Sequence, residues 1–150
     1  MLNRALGRGV VAASNAPEAV LSEQSLISVV DDDQSFRDSM RRLLKSLGYT
    51  VAVFPSAAEF LASPKLAATA CLIADVHMPA ITGVELYRHL IETGHAIPTI
   101  LVTAYPDDSV QERMLTVGVK CYLRKPLEEA HLIDCLRSAC ARGKAPREAS

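Results

Sequence analysis

The sequence predicts one α/β domain of the doubly wound class, in which helices cover both faces of a parallel β-sheet. Short β-rich runs alternate with stretches of helical periodicity, which is the pattern of repeated βαβ units. The runs "LISVV" and "TILV" are continuously apolar, as expected for strands that are buried on both faces. The chain has 150 residues, 49% of them hydrophobic, which is enough for one such domain with a buried core.

Five strands are predicted, and several of them end at polar residues. The strand candidates, in chain order, are "LISVVD", "TVAVF", "CLIAD", "PTILVT" and "CYLRK". In doubly wound sheets, ligands bind outside the carboxyl ends of the strands. The polar residues at or just after these ends are Asp31, Asp32, Asp75, Thr103 and Lys125. A parallel sheet would bring all of them to one edge.

Five helices are predicted between and after the strands. The first has the clearest helical spacing, carried by Phe36, Met40, Leu43, Leu44 and Leu47. We expect Ser35 and Asp38 to form its capping box and Gly48 to end it. The other helices are expected around residues 57–61, 84–91, 110–117 and 132–140, with Gly118 as the stop of the fourth.

The domain is expected to span residues 25–141. Residues 1–24 mix Gly, Ala, Ser, Asn and Pro without periodicity, so we expect a flexible N-terminal extension, and residues 142–150 a flexible tail. The apolar patch in "MLNRALGRGVVAAS" is too short for a signal peptide, and no apolar run approaches the ~20 residues that span a bilayer. These features predict a cytoplasmic protein without a membrane partner.

Charge and cysteine content exclude further classes. The net charge is -1 and both signs are interspersed, so no basic face for nucleic acid is expected. The four cysteines, Cys71, Cys121, Cys135 and Cys140, form no C-x-x-C pair and no metal-ligand spacing with a histidine. We therefore expect neither a zinc site nor a disulfide framework, and interpret the cysteines as buried thiols.

Three adjacent carboxylates, Asp31, Asp32 and Asp33, follow the first strand. Two ionised carboxylates 4 Å apart repel by ~4 kcal/mol if the effective dielectric constant is near 20. A solvated turn or a bound divalent cation would relieve that repulsion. The composition of this stretch alone leaves both explanations open.

Four motifs, in order, carry a resemblance to a known family: V-D-D ending at Asp32, D-x-x-M-P-x-x-x-G starting at Asp75, T-A starting at Thr103, and Y-x-x-K-P starting at Tyr122. Over about residues 26–140 the chain resembles the receiver domain of two-component response regulators. The stretches "PSAAEFL" and "GVELYRHL" are most similar to receivers of nitrogen-fixation-type regulators. The resemblance implies a flavodoxin-like (βα)5 fold with strand order 2-1-3-4-5.

The resemblance also implies a metal-assisted phosphoacceptor. It assigns the phosphoryl group to Asp75, delivered by a sensor histidine kinase or a histidine phosphotransfer protein. Because a carboxylate is a weak nucleophile that approaches an anion, charge must be cancelled, which Mg²⁺ (or Mn²⁺) can do. The implied ligands are Asp32, Asp75, Asp31 partly through water, and the main-chain carbonyl of His77. Asp33 is interpreted as a solvated residue at the start of the first helix.

Further roles follow from the same resemblance. Lys125 and Thr103 would contact phosphoryl oxygens, and the Lys125–Pro126 peptide bond would be cis. Thr103 and Tyr122 would form a switch that alters the surface of the fourth helix, fifth strand and fifth helix, where a downstream protein or a second copy of the chain would bind.

By the same resemblance, His77 and Tyr105 occupy the positions that border the approach to the phosphoryl group, and their bulk predicts slow autodephosphorylation. The opposing interpretation is that a neutral His77 imidazole orients the attacking water and speeds hydrolysis. The chain is therefore expected to be a phosphoacceptor signalling protein rather than an enzyme. Only ten residues follow Cys140, too few for a DNA-binding output domain, so we expect a stand-alone receiver. It would act on a protein target or as a phosphate sink or shuttle in a phosphorelay.

Three alternatives use parts of the same pattern. A Mg²⁺-dependent phosphatase of the haloacid dehalogenase type needs D-x-D, whereas Val76 and His77 follow Asp75. A flavodoxin-like cofactor binder needs a Gly-rich or Ser/Thr-rich phosphate loop after the first strand, and acidic residues stand there instead. A degenerate receiver that only docks is disfavoured by the intact aspartates, Thr103 and Lys125.

Overall fold

The structure, a computed structural model, describes residues 25–140. The flexible segments predicted for residues 1–24 and 142–150 lie outside the described residues. The strands are β1 (Leu26–Val30), β2 (Thr50–Phe54), β3 (Thr69–Asp75), β4 (Thr99–Thr103) and β5 (Cys121–Arg124). All five predicted strands are therefore present, with ends that differ from the predicted ones by at most two residues.

The five strands form one parallel sheet in the order β2-β1-β3-β4-β5. This confirms the strand order 2-1-3-4-5. The register pairs Val30 with both Phe54 and Ala74, and Thr103 with Arg124. Strand ends that are level in this way place the residues that follow β1, β3, β4 and β5 side by side.

Five α-helices connect and follow the strands, at the predicted positions. They are α1 (Gln34–Ser46), α2 (Ala57–Leu61), α3 (Gly83–Glu92), α4 (Asp108–Thr116) and α5 (Glu129–Cys140). A 3-10 helix, Pro64–Ala68, precedes β3 and was not predicted. Within residues 25–140, no helix combines the length and the apolar character needed to cross a membrane.

The start of α1 differs from the prediction. Its N-cap is Asp33, whose carboxylate accepts the main-chain N–H groups of Ser35 at 3.0 Å and Phe36 at 3.4 Å. The Ser35–Asp38 capping box is therefore wrong, because the helix begins two residues earlier, where Asp33 reaches the first N–H groups. The end is as predicted, since Gly48 follows α1 with φ +97°, a conformation that favours glycine.

The sheet is covered on both faces, which explains its continuously apolar strands. Helices α2, α3 and α4 pack on one face, where the cluster includes Phe60, Leu86, Leu90 and Met114. Helices α1 and α5 pack on the other face, where the cluster includes Met40, Leu44, Leu132 and Leu136. Each fully buried side chain of this size contributes roughly 1.5–3 kcal/mol, so both layers hold the strand ends in place.

The cysteine prediction is wrong for two of the four residues. Cys121 of β5 and Cys135 of α5 form a disulfide, with their Cα atoms 6.3 Å apart. That separation lies within the usual range for disulfides, and it arises because α5 packs against the sheet beside β5. Their spacing of 14 residues carries no local signal of such packing. Cys71 and Cys140 are buried and outside the disulfide, in agreement with the prediction.

Candidate functional site

Three carboxylates meet at the carboxyl edge of the sheet. Asp31 directly follows β1, where its N–H donates to the Phe54 carbonyl at 3.1 Å and its side chain is fully buried. Asp75 is the last residue of β3 and is 6% exposed, while Asp32 is exposed to solvent. One carboxylate oxygen from each of the three residues lies within 4.8 Å of the others. The edge is therefore an acidic pocket made of Asp31, Asp32 and Asp75.

Lys125 brings a positive charge into the acidic pocket. It follows β5, and its main-chain N–H donates to the Thr103 carbonyl at 2.8 Å. Its ammonium Nζ lies 2.7 Å from Asp31 Oδ2 and 3.6 Å from Asp75 Oδ2. The Lys125–Pro126 peptide bond is cis, as the resemblance implies. The fold thus places the predicted cation between two of the predicted carboxylates.

The Asp75 carboxylate is incompletely compensated. Burial raises the pKa of Asp75 above its ordinary value, and the negative charges of Asp31 and Asp32 raise it further. The His77 N–H, which donates to Asp75 Oδ1 at 3.1 Å, and the Lys125 ammonium both act to lower that pKa without cancelling the rise. A further positive charge in the pocket would therefore stabilise the ionised carboxylates.

The pKa of Lys125 is also raised, and for a lysine this favours the charged form. Burial alone would lower the pKa of Lys125, but the hydrogen bond and charge of Asp31, together with Asp75, outweigh it and raise the pKa. The lysine is therefore a permanent cation at neutral pH. It is held by charge rather than by a rigid fork of donors, so it remains a mobile point charge.

The loop after β1 is fixed around Asp31 by several contacts. Asp31 Oδ1 accepts the N–H of Asp33 at 2.9 Å, while Oδ2 accepts the ammonium of Lys125. The guanidinium of Arg37, in the first turn of α1, donates to the Asp31 main-chain carbonyl at 2.7 Å. These contacts define the position of the buried carboxylate before any ligand arrives.

The donor set of the acidic pocket fits a hard divalent cation. Mg²⁺ takes one or two carboxylates, retained waters and phosphate oxygens, and here an exposed carboxylate stands beside two buried ones. Burial, and then the charges of Asp31 and Asp32, raise the pKa of Asp75, so a divalent cation that offsets the buried negative charge has a favourable place here. His77 lies beside Asp75 through its N–H, and ligation by its main-chain carbonyl stays a prediction.

Thr103, His77 and Tyr105 lie around the acidic pocket. Thr103 is the fully buried last residue of β4, and its Oγ1 accepts the Tyr105 N–H at 2.9 Å. The rings of His77 and Tyr105 meet edge to face, with centroids 5.7 Å apart, and Tyr105 is 74% exposed. The two residues predicted to limit access are therefore in contact with each other.

Tyr122 connects β5 to α4. Its ring is half-buried against the core cluster on the α2, α3 and α4 face. Its hydroxyl accepts the N–H of Asp107, the N-cap of α4, at 3.2 Å. The predicted switch aromatic thus touches the helix start that follows the Thr103 loop.

Two residues of α1 were missed by the sequence analysis. The Lys125 ammonium lies 4.2 Å from the centroid of the Phe36 ring, a cation–π contact, and Arg37 bonds to Asp31. Phe36 was predicted only as a member of the apolar stripe of the helix. The available signal was its position in the first helical turn after the aspartates, at the same edge of the sheet.

A family model described as the response regulator receiver domain matches residues 27–137. Nodulation protein W of Bradyrhizobium diazoefficiens is 34% identical over 128 residues, covering 85% of this chain and 56% of that protein. The response regulator protein TodT of Pseudomonas putida is 33% identical over 128 residues, covering 82% and 56%. The chain thus spans about half the length of the curated relatives it matches.

Solved structures share the fold. The crystal structure of a response regulator receiver protein from Burkholderia phymatum has 37% sequence identity and a TM-score of 0.68, covering 79% of this chain and 96% of that chain. The residues matched by the family model include Asp31, Asp32 and Asp75 of the acidic pocket.

Proposed function

The chain belongs to the response regulator receiver domain family, and from that premise we propose that Asp75 is the residue that accepts the phosphoryl group. The observation that carries the proposal is the position of Asp75. It is a buried strand-end carboxylate, flanked by Asp31 and Asp32 and 3.6 Å from the ammonium of Lys125. This arrangement supports the proposal because one edge of the sheet holds a carboxylate that can act as nucleophile, a cluster that can hold a metal ion and an ammonium that can meet the transferred group.

The proposed reaction is an in-line transfer to a carboxylate oxygen. The Asp75 O–P bond forms as the bond from phosphorus to the donor breaks, and the donor is a phosphohistidine of a kinase or phosphotransfer protein. A Mg²⁺ ion held by Asp31, Asp32 and Asp75, with the His77 carbonyl, would neutralise charge on the phosphoryl oxygens. Lys125 provides a second cation, and the Thr103 hydroxyl donates to another phosphoryl oxygen.

The proposed output is a change of surface rather than a chemical product. Thr103 Oγ1 accepts the Tyr105 N–H, so a turn of this hydroxyl towards the phosphoryl group disturbs the loop before α4. Tyr122 contacts the same loop through Asp107. We define the switch surface as α4, β5 and α5, and propose it as the binding site for a protein target or a second copy of the chain.

The cellular role rests on the family and on the chemistry of the pocket. We place the protein in the cytoplasm, as a phosphoacceptor whose only reactions are its own phosphorylation and slow dephosphorylation. Two roles are compatible with phosphorylation of Asp75: the protein acts directly on a protein target, or it serves as a phosphate sink or shuttle in a phosphorelay. The expectations that the receiver stands alone and that nucleic acid is not its partner stay predictions.

Labelling with acetyl phosphate tests the proposal. Intact-mass measurement should show one added phosphate on the wild type with Mg²⁺, none with EDTA, and none on Asp75→Asn. Asp134→Asn, which changes an exposed carboxylate in α5, is the matched control and should label as the wild type does. Phosphorylation of Asp75→Asn, or full labelling of the wild type in EDTA, would contradict the assignment.

A further inference from the structure

The Phe36 ring lies against the Lys125 ammonium at the acidic pocket. The Lys125 ammonium is 4.2 Å from the ring centroid, and the lysine side chain is 17% exposed. The ring itself is partly buried and packs against the core cluster beneath α1 and α5. The position of the ring is therefore set by the core, while the ammonium that it contacts is held by its hydrogen bond and ion pair with Asp31 and by the charge of Asp75.

The other anchors of the lysine are shared with the candidate metal site. Its short contact is to Asp31 Oδ2 at 2.7 Å, and Asp31 and Asp75 are both members of the carboxylate cluster. A divalent cation on this cluster takes up the negative charge of these carboxylates and repels the ammonium at close range. The face of an aromatic ring attracts the ammonium without offering an oxygen to the metal.

We propose that Phe36 is a positioning residue of the phosphoryl-transfer site, whose ring keeps the Lys125 ammonium at the pocket when Asp31 and Asp75 are engaged by a metal ion. This inference rests on the proposed phosphoacceptor role of Asp75. The ring limits the movement of the flexible Lys125 side chain towards solvent. The side chain therefore loses less conformational entropy when its ammonium binds a phosphoryl oxygen. A neighbouring group, the Arg37 guanidinium, is occupied by the Asp31 carbonyl at 2.7 Å.

The first test measures the binding of beryllofluoride, which mimics a phosphoryl group, by ¹⁹F NMR in the presence of Mg²⁺. Phe36→Leu should bind beryllofluoride more weakly, with a half-saturating concentration about threefold to tenfold higher than that of the wild type. This is the range expected for the loss of a partly desolvated cation–π contact. Phe36→Tyr keeps an aromatic face and should stay within about twofold of the wild type. In a Lys125→Ala background, Phe36→Leu should have no further effect, because the ring acts through the ammonium.

Two measurements separate this role from simple packing. The Lys125 Hε protons should carry an upfield ring-current shift that persists when Mg²⁺ is added to the wild type and is lost in Phe36→Leu. Mg²⁺ affinity, measured by calorimetry, should be the same in Phe36→Leu as in the wild type. Phe36→Met provides a second variant without an aromatic face if the leucine variant folds poorly.

Distinct outcomes count against the inference and against the function on which it rests. A wild type that takes up no beryllofluoride contradicts the proposed function. If the wild type does bind, the positioning role is overturned by unchanged binding in Phe36→Leu, by failure of Phe36→Tyr to retain binding, or by an equal loss in the Lys125→Ala background. Disappearance of the ring-current shift on addition of Mg²⁺ overturns it as well.

Discussion

The main-chain N–H of Asp107 donates a hydrogen bond of 3.2 Å to the Tyr122 hydroxyl. This bond joins the N-cap of α4 to the strand beside it, although 15 residues separate the two in sequence. An inward turn of the Tyr122 ring cannot occur while the bond is intact. The bond is therefore a probe for the proposed rearrangement of the switch surface.

We predict that Tyr122→Phe removes the hydrogen bond between the Asp107 N–H and the Tyr122 hydroxyl. The variant should lose about 0.5–1 kcal/mol of unfolding free energy, the usual net contribution of one hydrogen bond, and its Asp107 amide should exchange faster with solvent. Tyr105→Phe, which changes a ring that is 74% exposed, is the control and should leave the Asp107 amide unaffected. Beryllofluoride should speed Asp107 exchange in the wild type and not in Tyr122→Phe; equal protection with and without it would contradict the switch.

We predict that Asp75→Asn stabilises the metal-free protein at neutral pH. The folded-state pKa of Asp75 lies above its ordinary value of 3.8, first because of burial. The native state therefore binds the proton more tightly than the unfolded state, and stability falls as pH rises through the window between the two pKa values. Above that window Asp75 is ionised in the folded and in the unfolded protein, and the loss of unfolding free energy caused by its buried charge is complete. Asparagine carries no charge, so the variant avoids this loss.

Denaturation of both proteins across acid and neutral pH in EDTA provides the measurement. The stability difference between Asp75→Asn and the wild type should be smallest below pH 3.8, the ordinary value, and largest at neutral pH. Asp134→Asn should show no such trend. A less stable Asp75→Asn protein at pH 7 would contradict the argument.

We predict that Gly83→Ala disturbs the acidic pocket from outside it. A Cβ atom on Gly83 would lie 2.9 Å from the Asp75 carbonyl carbon and 3.2 Å from Val76 Cα, so α3 or the end of β3 must move. Overpacking of this kind typically costs 1–3 kcal/mol, and we expect about 2 kcal/mol here together with weaker beryllofluoride binding. Arg88→Ala, on the exposed face of the same helix, should change neither. Wild-type stability in Gly83→Ala would show that the helix start is free to move.

We predict that the His77–Tyr105 ring pair slows loss of the phosphoryl group. Hydrolysis needs a water in line with the scissile bond, and a misplaced nucleophile can cost ~100-fold in rate. The two rings meet edge to face, with their centroids 5.7 Å apart, so removing either ring should open the path of the attacking water. Both His77→Ala and Tyr105→Ala should therefore dephosphorylate faster. Phosphate release after single labelling gives the rates; a slower His77→Ala protein would show instead that the imidazole assists the water.

Local patterns accounted for most of the fold because the strands are short, apolar runs that end at chemistry-bearing residues. Asp75 and Thr103 are the last residues of their strands, so a correct strand assignment already placed them at the sheet edge. The membership of the chain in the receiver family also removes the phosphatase and cofactor-binder alternatives.

What could not be predicted depends on contacts between distant elements. Phe36 fits the apolar stripe of α1, and only the three-dimensional fold reveals that Lys125, which follows β5, reaches the ring at the start of α1. The Cys121–Cys135 pair has no diagnostic spacing and exists because α5 lies against β5. The Asp33 cap was a choice between neighbouring helix starts, which sequence patterns rarely resolve to the residue.

The Cys121–Cys135 disulfide also has a practical consequence for how the protein is handled. It links the residue next to Tyr122 to α5, and so crosses two of the three elements of the switch surface. Reduction of this bond would therefore give a second chemical species that differs at the surface where a partner would dock. Affinities measured on one should be compared with those of the other only after the thiols have been titrated.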